Sequence, residues 1–199
     1  MQQNRTDNPP LSDQQIMVWD GVIRVFHWTL VFGVVAAYLC ATYRIGHVHV
    51  LIGYFLTGTL LIRLVWGLGG SRYARFTSFM FNRKETLQYL RTLVNGSPRH
   101  YAGHNPAGAL MVFALLGLLS LVYLTGLLSL ACIDFDGPLV AFTSQIDDQT
   151  SYLIRHLHGW LVNIGIALVG LHLLGVVSGS IQHRENLVKA MVTGKKNID

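Results

Sequence analysis

The chain has 199 residues, of which 51% are hydrophobic and only 13% are charged, and its mean hydropathy is +0.41. This composition excludes an ordinary soluble domain of this size and makes membrane lipid the expected surroundings of the chain. The formal net charge of +5 lies in clusters between apolar segments, so it indicates membrane topology and argues against a nucleic-acid partner.

Four uncharged runs predict four transmembrane helices. The runs lie between Arg24 and Arg44, Arg44 and Arg63, Arg99 and Asp134, and Arg155 and Arg184. A spanning helix needs about 20 predominantly apolar residues, so each run holds one helix. We predict helices near 22–42, 48–68, 107–130 and 155–178. The fold class expected is all-α: an up-and-down, integral membrane four-helix bundle, with residues 1–199 as a single domain.

The segments outside these runs carry their own signals. The polar N-terminal 15 residues lack an apolar core followed by a small-residue cleavage site, so no cleaved signal peptide is expected.

Asn82 and Glu85 resemble a capping box, and Asn95-Gly96 is a plausible helix stop. We therefore predict a short amphipathic helix near 83–94 on the cytoplasmic membrane surface, with a solvated connecting helix as the alternative. Asn105 is expected to cap the third span, with Pro106 at its first position.

Charge asymmetry predicts the orientation of the bundle. Basic residues dominate the connection at 69–106 and the C-terminal tail: Arg72, Arg75, Arg83, Lys84, Arg91, Arg99, Arg184, Lys189, Lys195 and Lys196. The connection between the third and fourth spans holds instead Asp134, Asp136, Asp147 and Asp148. By the positive-inside rule both termini are cytoplasmic, in a multi-pass protein of the bacterial inner membrane.

The two cysteines, Cys40 and Cys132, are both expected at the outer ends of spans. A disulfide between them is one possibility in an oxidising periplasm, and packing as small hydrophobic residues is the alternative that we favour. Neither lies in a C-x-x-C-H motif, so covalent haem attachment is not indicated.

Histidines within the spans are the strongest chemical signal. His158 and His172 are 14 residues apart. At about 100° and about 1.5 Å per residue they share one helix face and stand about 21 Å apart along the axis. Gly165 lies midway on that face and leaves room for a flat group or for another helix. Because the helices alternate in direction, His158 is level with His49, and His172 with His27. Two histidine pairs result, one in each half of the bilayer.

Two facing imidazoles at one depth suit a bis-histidine haem, whereas zinc usually requires three or four close ligands. His156 lies about 200° around the helix from His158, so we interpret it as an interfacial polar residue. Geometry alone does not separate His47 from His49. For any single histidine, hydrogen-bonded packing is the alternative interpretation.

The sequence also resembles a known family. The segments that carry the resemblance are "WDGVIRVFHW", "RLVWGLGGSRYARF", "GHNPAGALM" and "LHGWLVNIGIALVGLHLLG". Over nearly its whole length the chain is similar to the four-helix, di-haem bacterial cytochrome b proteins. These include prokaryotic cytochrome b-561 and the cytochrome b subunits of nickel-iron hydrogenases and of formate dehydrogenase.

The resemblance implies two non-covalently bound haem b groups. His27 and His172 match the iron ligands of the cytoplasmic-side haem. His49 and His158 match those of the periplasmic-side haem, and the spacing from His49 to Gly53 favours His49 over His47. Gly53 and Gly165 are accordingly assigned to the cofactor site.

Two arginines are further candidates for contact with the cofactor. Arg63, 14 residues after His49, lies on the same helix face at the cytoplasmic end and is placed to pair with a haem propionate. Arg24, one turn before His27, is placed similarly. Snorkelling to the headgroups is the alternative for both. His104 and Arg72 are weaker candidates for a quinone or propionate contact.

The function that the resemblance implies is transmembrane electron transfer between a periplasmic redox partner, such as a c-type cytochrome, and the quinone pool. Iron with both axial positions filled by protein favours electron transfer over oxygen chemistry, so no catalytic residue is assigned and stand-alone enzyme activity stays open. The acidic connection at 134–148 is a candidate docking site for a basic partner. The alternatives are a membrane anchor subunit of a hydrogenase or dehydrogenase, a superoxide-oxidising quinone reductase, and a haem-free helical transporter.

Overall fold

Four long helices dominate the computed structural model, which describes residues 15–94, 96, 99, 101 and 103–197. The elements in chain order are β1 Gln15–Met17, α1 Gly21–Thr42, α2 Gly46–Gly69, α3 Arg83–Val94, α4 Pro106–Ile133, α5 Asp148–Gln182, α6 Leu187–Thr193 and β2 Lys195–Asn197. Helices α1, α2, α4 and α5 are long and apolar enough to cross a membrane. The chain is therefore a four-helix membrane bundle, as its composition predicted.

The fourth span is longer than the sequence indicated, because it begins at Asp148 rather than near residue 155. Asp147 caps it: one carboxylate oxygen accepts the Thr150 N–H at 2.9 Å and the other accepts the Thr150 hydroxyl at 2.8 Å. These hydrogen bonds hold the pKa of Asp147 below its ordinary value. Asp147 and Asp148 thus belong to a helix start and not to a free acidic loop.

The local signals in the middle connection are confirmed. The Asn82 side chain accepts the Glu85 N–H at 2.8 Å, and the Glu85 carboxylate accepts the Asn82 N–H at 3.3 Å, which is the reciprocal capping box. The Asn105 side chain accepts the Gly108 N–H at 2.7 Å and starts α4. Asn95, the expected helix stop, lies outside the described residues, as does the N-terminal segment 1–14.

Lipid, and not other parts of the protein, covers most of the apolar surface of the spans. No more than 17% of the most apolar window of any spanning helix is buried inside the chain. Helix α1 packs on α2 and α4 packs on α5, whereas the two hairpins meet mainly through α2 and α4. Contact between helices is therefore closer within each hairpin than between the two hairpins.

The two described termini meet in a short antiparallel sheet that the sequence did not predict. Ile16 of β1 is paired with Lys196 of β2. Gly194 ends α6 with a φ of +83°, and its carbonyl accepts the N–H groups of Val18 at 2.8 Å and Trp19 at 3.0 Å. We call this end of the bundle the sheet end, and the opposite end, which carries residues 43–45 and 134–147, the loop end.

Lys196, one of the basic residues that predict a cytoplasmic C-terminal tail, is buried at the sheet end. Its side chain is 5% exposed and its Nζ lies 3.1 Å from a carboxylate oxygen of Glu185. It also donates to the Tyr101 carbonyl at 3.3 Å. The C-terminal segment is therefore part of the fold, held by a buried ion pair.

Both cysteines are free thiols, and Cys132 is buried, in agreement with packing rather than a disulfide.

Lys196→Met should destabilise the protein by about 3 kcal/mol or more, because it removes a buried ammonium group that pairs with Glu185 and donates to the Tyr101 carbonyl. Lys195→Met is the matched control: its side chain is exposed, and it should change stability by less than about 0.5 kcal/mol. Denaturant titration in detergent measures both effects. Equal stability of the two variants would contradict the assigned role of Lys196.

Candidate cofactor site

His49 of α2 and His158 of α5 face each other across the bundle near the loop end. Their ring centroids are 6.3 Å apart and their planes are nearly perpendicular, at 89°. Both side chains are half-buried, whereas His47 and His156 are exposed. The structure thus brings His49, and not His47, to His158.

Backbone carbonyls orient both rings of this pair. His49 Nδ1 lies 2.9 Å from the Ala37 carbonyl oxygen of α1, and His158 Nδ1 lies 2.9 Å from the Val122 carbonyl oxygen of α4. A carbonyl only accepts hydrogen bonds, so each Nδ1 must carry the proton. Each Nε2 then keeps its lone pair, which is the form of histidine that ligates a metal.

His27 of α1 and His172 of α5 form the second pair, nearer the sheet end. They are close enough to interact electrostatically. The His27 ring lies edge-on to Trp28, and its buried Nδ1 has no hydrogen-bond partner among the described residues. The second pair thus differs from the first, because no carbonyl holds His27 through Nδ1.

The predicted stripe on α5 is present, since His158, Gly165 and His172 are all half-buried. A methyl group at Gly165 would meet Leu118 of α4 at 3.5 Å, an ordinary contact, so a neighbouring helix adjoins this glycine. A methyl group at Gly53 would meet nothing within 4 Å. Open space therefore lies one helical turn beyond His49.

Arg63 is buried, with a relative exposure of 3%, so the snorkelling alternative is wrong for this residue. Its Nη2 donates to the Ala74 carbonyl at 3.2 Å, and its guanidinium lies 4.8 Å from the centroid of the Phe76 ring. Among the described residues no acceptor reaches its buried Nη1 or the buried Nε of Arg24. Both arginines thus offer unused donors at the sheet end.

Asp20 organises the same end, and the sequence analysis did not single it out. Its carboxylate accepts the Ile23 N–H at 2.9 Å, the Trp66 indole N–H at 3.0 Å and the Ser71 hydroxyl. Burial alone would raise the pKa of Asp20, but the hydrogen bonds outweigh burial and lower it. The Asp20-Gly21 pair just before the first apolar run was the available signal, as an N-cap.

His104 is half-buried at the sheet end, where its ring contacts two aromatic rings and its Nδ1 atom is buried. Its ring lies 4.7 Å from Trp19 and 4.5 Å from Phe79, measured between centroids. Burial, with the positive charges of Arg63 and Lys196 added, lowers the pKa of His104 to about 4. The side chain is therefore neutral at physiological pH. Arg72 is exposed on the surface, beside Tyr73.

The donor set fits a bis-histidine haem. A metal–nitrogen bond of about 2 Å on each side, and roughly 1 Å from nitrogen to ring centre, place two axial imidazoles about 6 Å apart. The His49–His158 distance of 6.3 Å has this value. Within the described part of the chain, no group of three or more His, Cys, Asp or Glu side chains could hold a bare metal ion. The unused arginine donors suit the carboxylates that a haem carries.

A four-helix membrane bundle with paired, oriented histidines defines a membrane cytochrome of the b type. The sequence profile of the prokaryotic cytochrome b561 family matches residues 18–194, and the chain belongs to this family. It is an electron-transfer protein whose cofactor is haem b.

Other comparisons agree with this assignment. The chain is 22% identical over 216 aligned residues to a probable Ni/Fe-hydrogenase B-type cytochrome subunit of Rhizobium leguminosarum bv. viciae. The alignment covers 92% of this chain and 89% of the relative. No solved structure matches the chain.

Because the pKa of His104 is lowered, the free energy of unfolding should decrease as the pH becomes acidic. Unfolded histidine titrates near 6.5 and the folded side chain at about 4, so its contribution is complete above pH 6.5 and is lost as pH falls toward 4. This difference is worth roughly 3 kcal/mol. His104→Gln should therefore reduce the loss of stability between about pH 7 and about pH 4.5, measured by unfolding in detergent.

His47→Gln, which removes a histidine from an exposed position, is the control for that measurement. It should leave the acid-dependent loss unchanged. An unchanged loss in His104→Gln would show that other groups cause it.

Proposed function

We propose that the protein transfers electrons across the bacterial inner membrane through two haem b groups, between a periplasmic redox partner and the quinone pool. The observation that supports this proposal best is that helix α5 contributes one histidine to each of two pairs. His158 and His172 belong to different pairs and stand about 21 Å apart along α5. Two carriers at these depths would lie in opposite halves of the membrane.

Charge supports a cytoplasmic position for the sheet end. That end carries the basic connection around α3 and the basic C-terminal segment, whereas Asp134, Asp136 and Asp147 lie at the loop end. Cytoplasmic segments near membrane spans are enriched in Lys and Arg. His49 and His158 would then hold the periplasmic-side haem, and His27 and His172 the cytoplasmic-side haem.

The protein's own groups have distinct tasks in this scheme. When bound, haem b supplies a one-electron iron couple. The Ala37 and Val122 carbonyls hold His49 and His158 in one tautomer and one orientation. Because these acceptors belong to helix backbones, the ligand geometry is fixed before an electron arrives, which keeps reorganisation small.

Two side chains at the sheet end would bind the carboxylates of the cytoplasmic-side haem. Arg63 directs an unused Nη1 donor, and Arg24 an unused Nε donor, into buried positions. A buried guanidinium N–H group without an acceptor is costly, so an anion is the expected complement. We assign this role to the haem propionates.

A second candidate function is that of the membrane subunit of a larger redox enzyme. The relative from Rhizobium leguminosarum is described as a probable cytochrome subunit of a Ni/Fe-hydrogenase, which favours this alternative. The loop end would be the contact surface: Phe135 is 76% exposed there, between Asp134 and Asp136. Membership of the cytochrome family argues against a haem-free transporter.

The purified protein should show a b-type reduced-minus-oxidised spectrum with about two haems per chain. His158→Ala and His172→Ala should each lose one haem, because each removes a histidine that would hold a different haem. His156→Ala changes an exposed histidine of the same helix and should keep both haems. Pyridine haemochrome quantification gives the stoichiometry.

A folded wild-type protein without haem would overturn the proposal. If the wild-type protein binds a single haem and only one of the two variants loses it, the proposal of a second haem is wrong.

A short-chain quinone added to the reduced protein should reoxidise its haem, because the proposed function requires a quinone site. Stopped-flow spectroscopy of the haem band measures the rate. A haem that stays reduced would contradict the quinone assignment. Stable co-purification with an enzyme subunit from native membranes would favour the second candidate over exchange with a c-type cytochrome.

A further inference from the structure

We propose that Thr125 is a positioning residue for His158 and, through it, lowers the reduction potential of the loop-end haem. With the Val122 carbonyl and Gly126 it forms what we call the His158 pocket, on the face of α4 toward α5. The inference rests on the proposed function, because it requires His158 to be an iron ligand.

The hydrogen-bond directions at this pocket follow from the distances. Thr125 Oγ1 lies 2.7 Å from the Leu121 carbonyl oxygen and 3.0 Å from that of Val122, so its proton is used within α4. Its oxygen lies 3.3 Å from His158 Nδ1, while the Val122 carbonyl lies 2.9 Å from the same nitrogen. The Nδ1–H group of His158 is therefore shared between two acceptors.

Thr125 is a buried polar residue within an otherwise apolar span. Helix α4 is the most hydrophobic span, and Thr125 is 7% exposed on it. A threonine in an apolar helix commonly satisfies its own hydroxyl through the preceding turn. That bond explains why Thr125 is tolerated, but it does not explain why the oxygen faces a ring from another helix, 33 residues away in the chain.

Gly126 brings the α4 backbone against the same ring. A methyl group there would lie 3.1 Å from His158 Cε1 and 3.4 Å from Nδ1, tighter than ordinary contact. Gly117 on the same helix has nothing within 4 Å of such a methyl group. The small residue at 126 therefore permits the approach that makes the hydrogen bonds of the pocket possible.

The hydrogen bonds to His158 Nδ1 should lower the reduction potential of the haem that this residue would hold. A histidine that donates its Nδ1–H to strong acceptors is a more electron-rich ligand at Nε2, which stabilises the oxidised iron. Loss of one acceptor should therefore raise the potential. The effect should be confined to one haem, because Thr125 contacts His158 and His172 of the other pair lies about 21 Å away along α5.

The Thr125→Val substitution keeps the shape of the side chain and removes the oxygen that accepts a hydrogen bond from His158 Nδ1. In a redox titration of the purified protein, one of the two midpoint potentials should rise while the other stays unchanged, with about two haems still bound. Thr125→Ser should restore the wild-type value. The control is Thr59→Val, because Thr59 makes the same kind of bond, to the Phe55 carbonyl at 2.8 Å, on another span; it should shift neither potential.

Gly126→Ala and Gly117→Ala test the pocket independently of the hydroxyl. The first should weaken retention of one haem and change the low-spin electron paramagnetic resonance signal of that haem, because the ring must move. The second should behave as wild type.

The outcomes separate this inference from the function on which it rests. Two bound haems with unchanged potentials in Thr125→Val would overturn the role of Thr125 and leave the proposed function intact. Equal shifts of both haems, or the same shift in Thr125→Ser, would also overturn it, since they indicate a general structural effect. Loss of one haem in Thr125→Val that Thr125→Ser restores would support it. A wild-type protein without haem would overturn both proposals.

Discussion

The absence of water inside the bilayer is the constraint on which this structure depends. Each spanning helix satisfies its own backbone and exposes its apolar side chains to lipid. A histidine in that environment needs a partner for each ring nitrogen. His49 and His158 each find one in a carbonyl of a neighbouring helix. The same bonds fix the tautomer, so one constraint both offsets the burial of these histidines and leaves each Nε2 lone pair free, which is the form of histidine that ligates a metal.

The two ends of the bundle are built differently. Near the loop end, carbonyls of neighbouring helices hold His49 and His158, and the Thr125 hydroxyl adds a second contact to His158. At the sheet end, Asp20 joins α1 to α2 and the following turn, while Lys196 fastens the C-terminal strand. Buried cores form mainly in this second region, around Trp19 and Ala74. The protein thus has its main buried core at the sheet end.

Local sequence patterns predicted the features that depend on short-range chemistry. Uncharged length identified four spans, and the caps at Asn82 and Asn105 formed as expected because capping involves residues only three positions apart. The uncharged run begins only after Arg155, so it does not give the start of α5 at Asp148. The N-cap formed by Asp147 with Thr150 is the sequence signal that does. Helical spacing placed His158 and His172 on one stripe, since rise and rotation per residue are constant.

The sequence by itself determined that this is a helical membrane protein and that its histidines recur at two levels. The family resemblance favours His49 over His47, and the tertiary structure agrees by bringing His49 to His158. Tertiary structure alone decided that Arg63 is buried and that Lys196 is part of the fold. These outcomes depend on contacts between residues far apart in the chain. Periodicity states which face of a helix a residue occupies, but only packing decides which carbonyl, ring or carboxylate lies opposite that face.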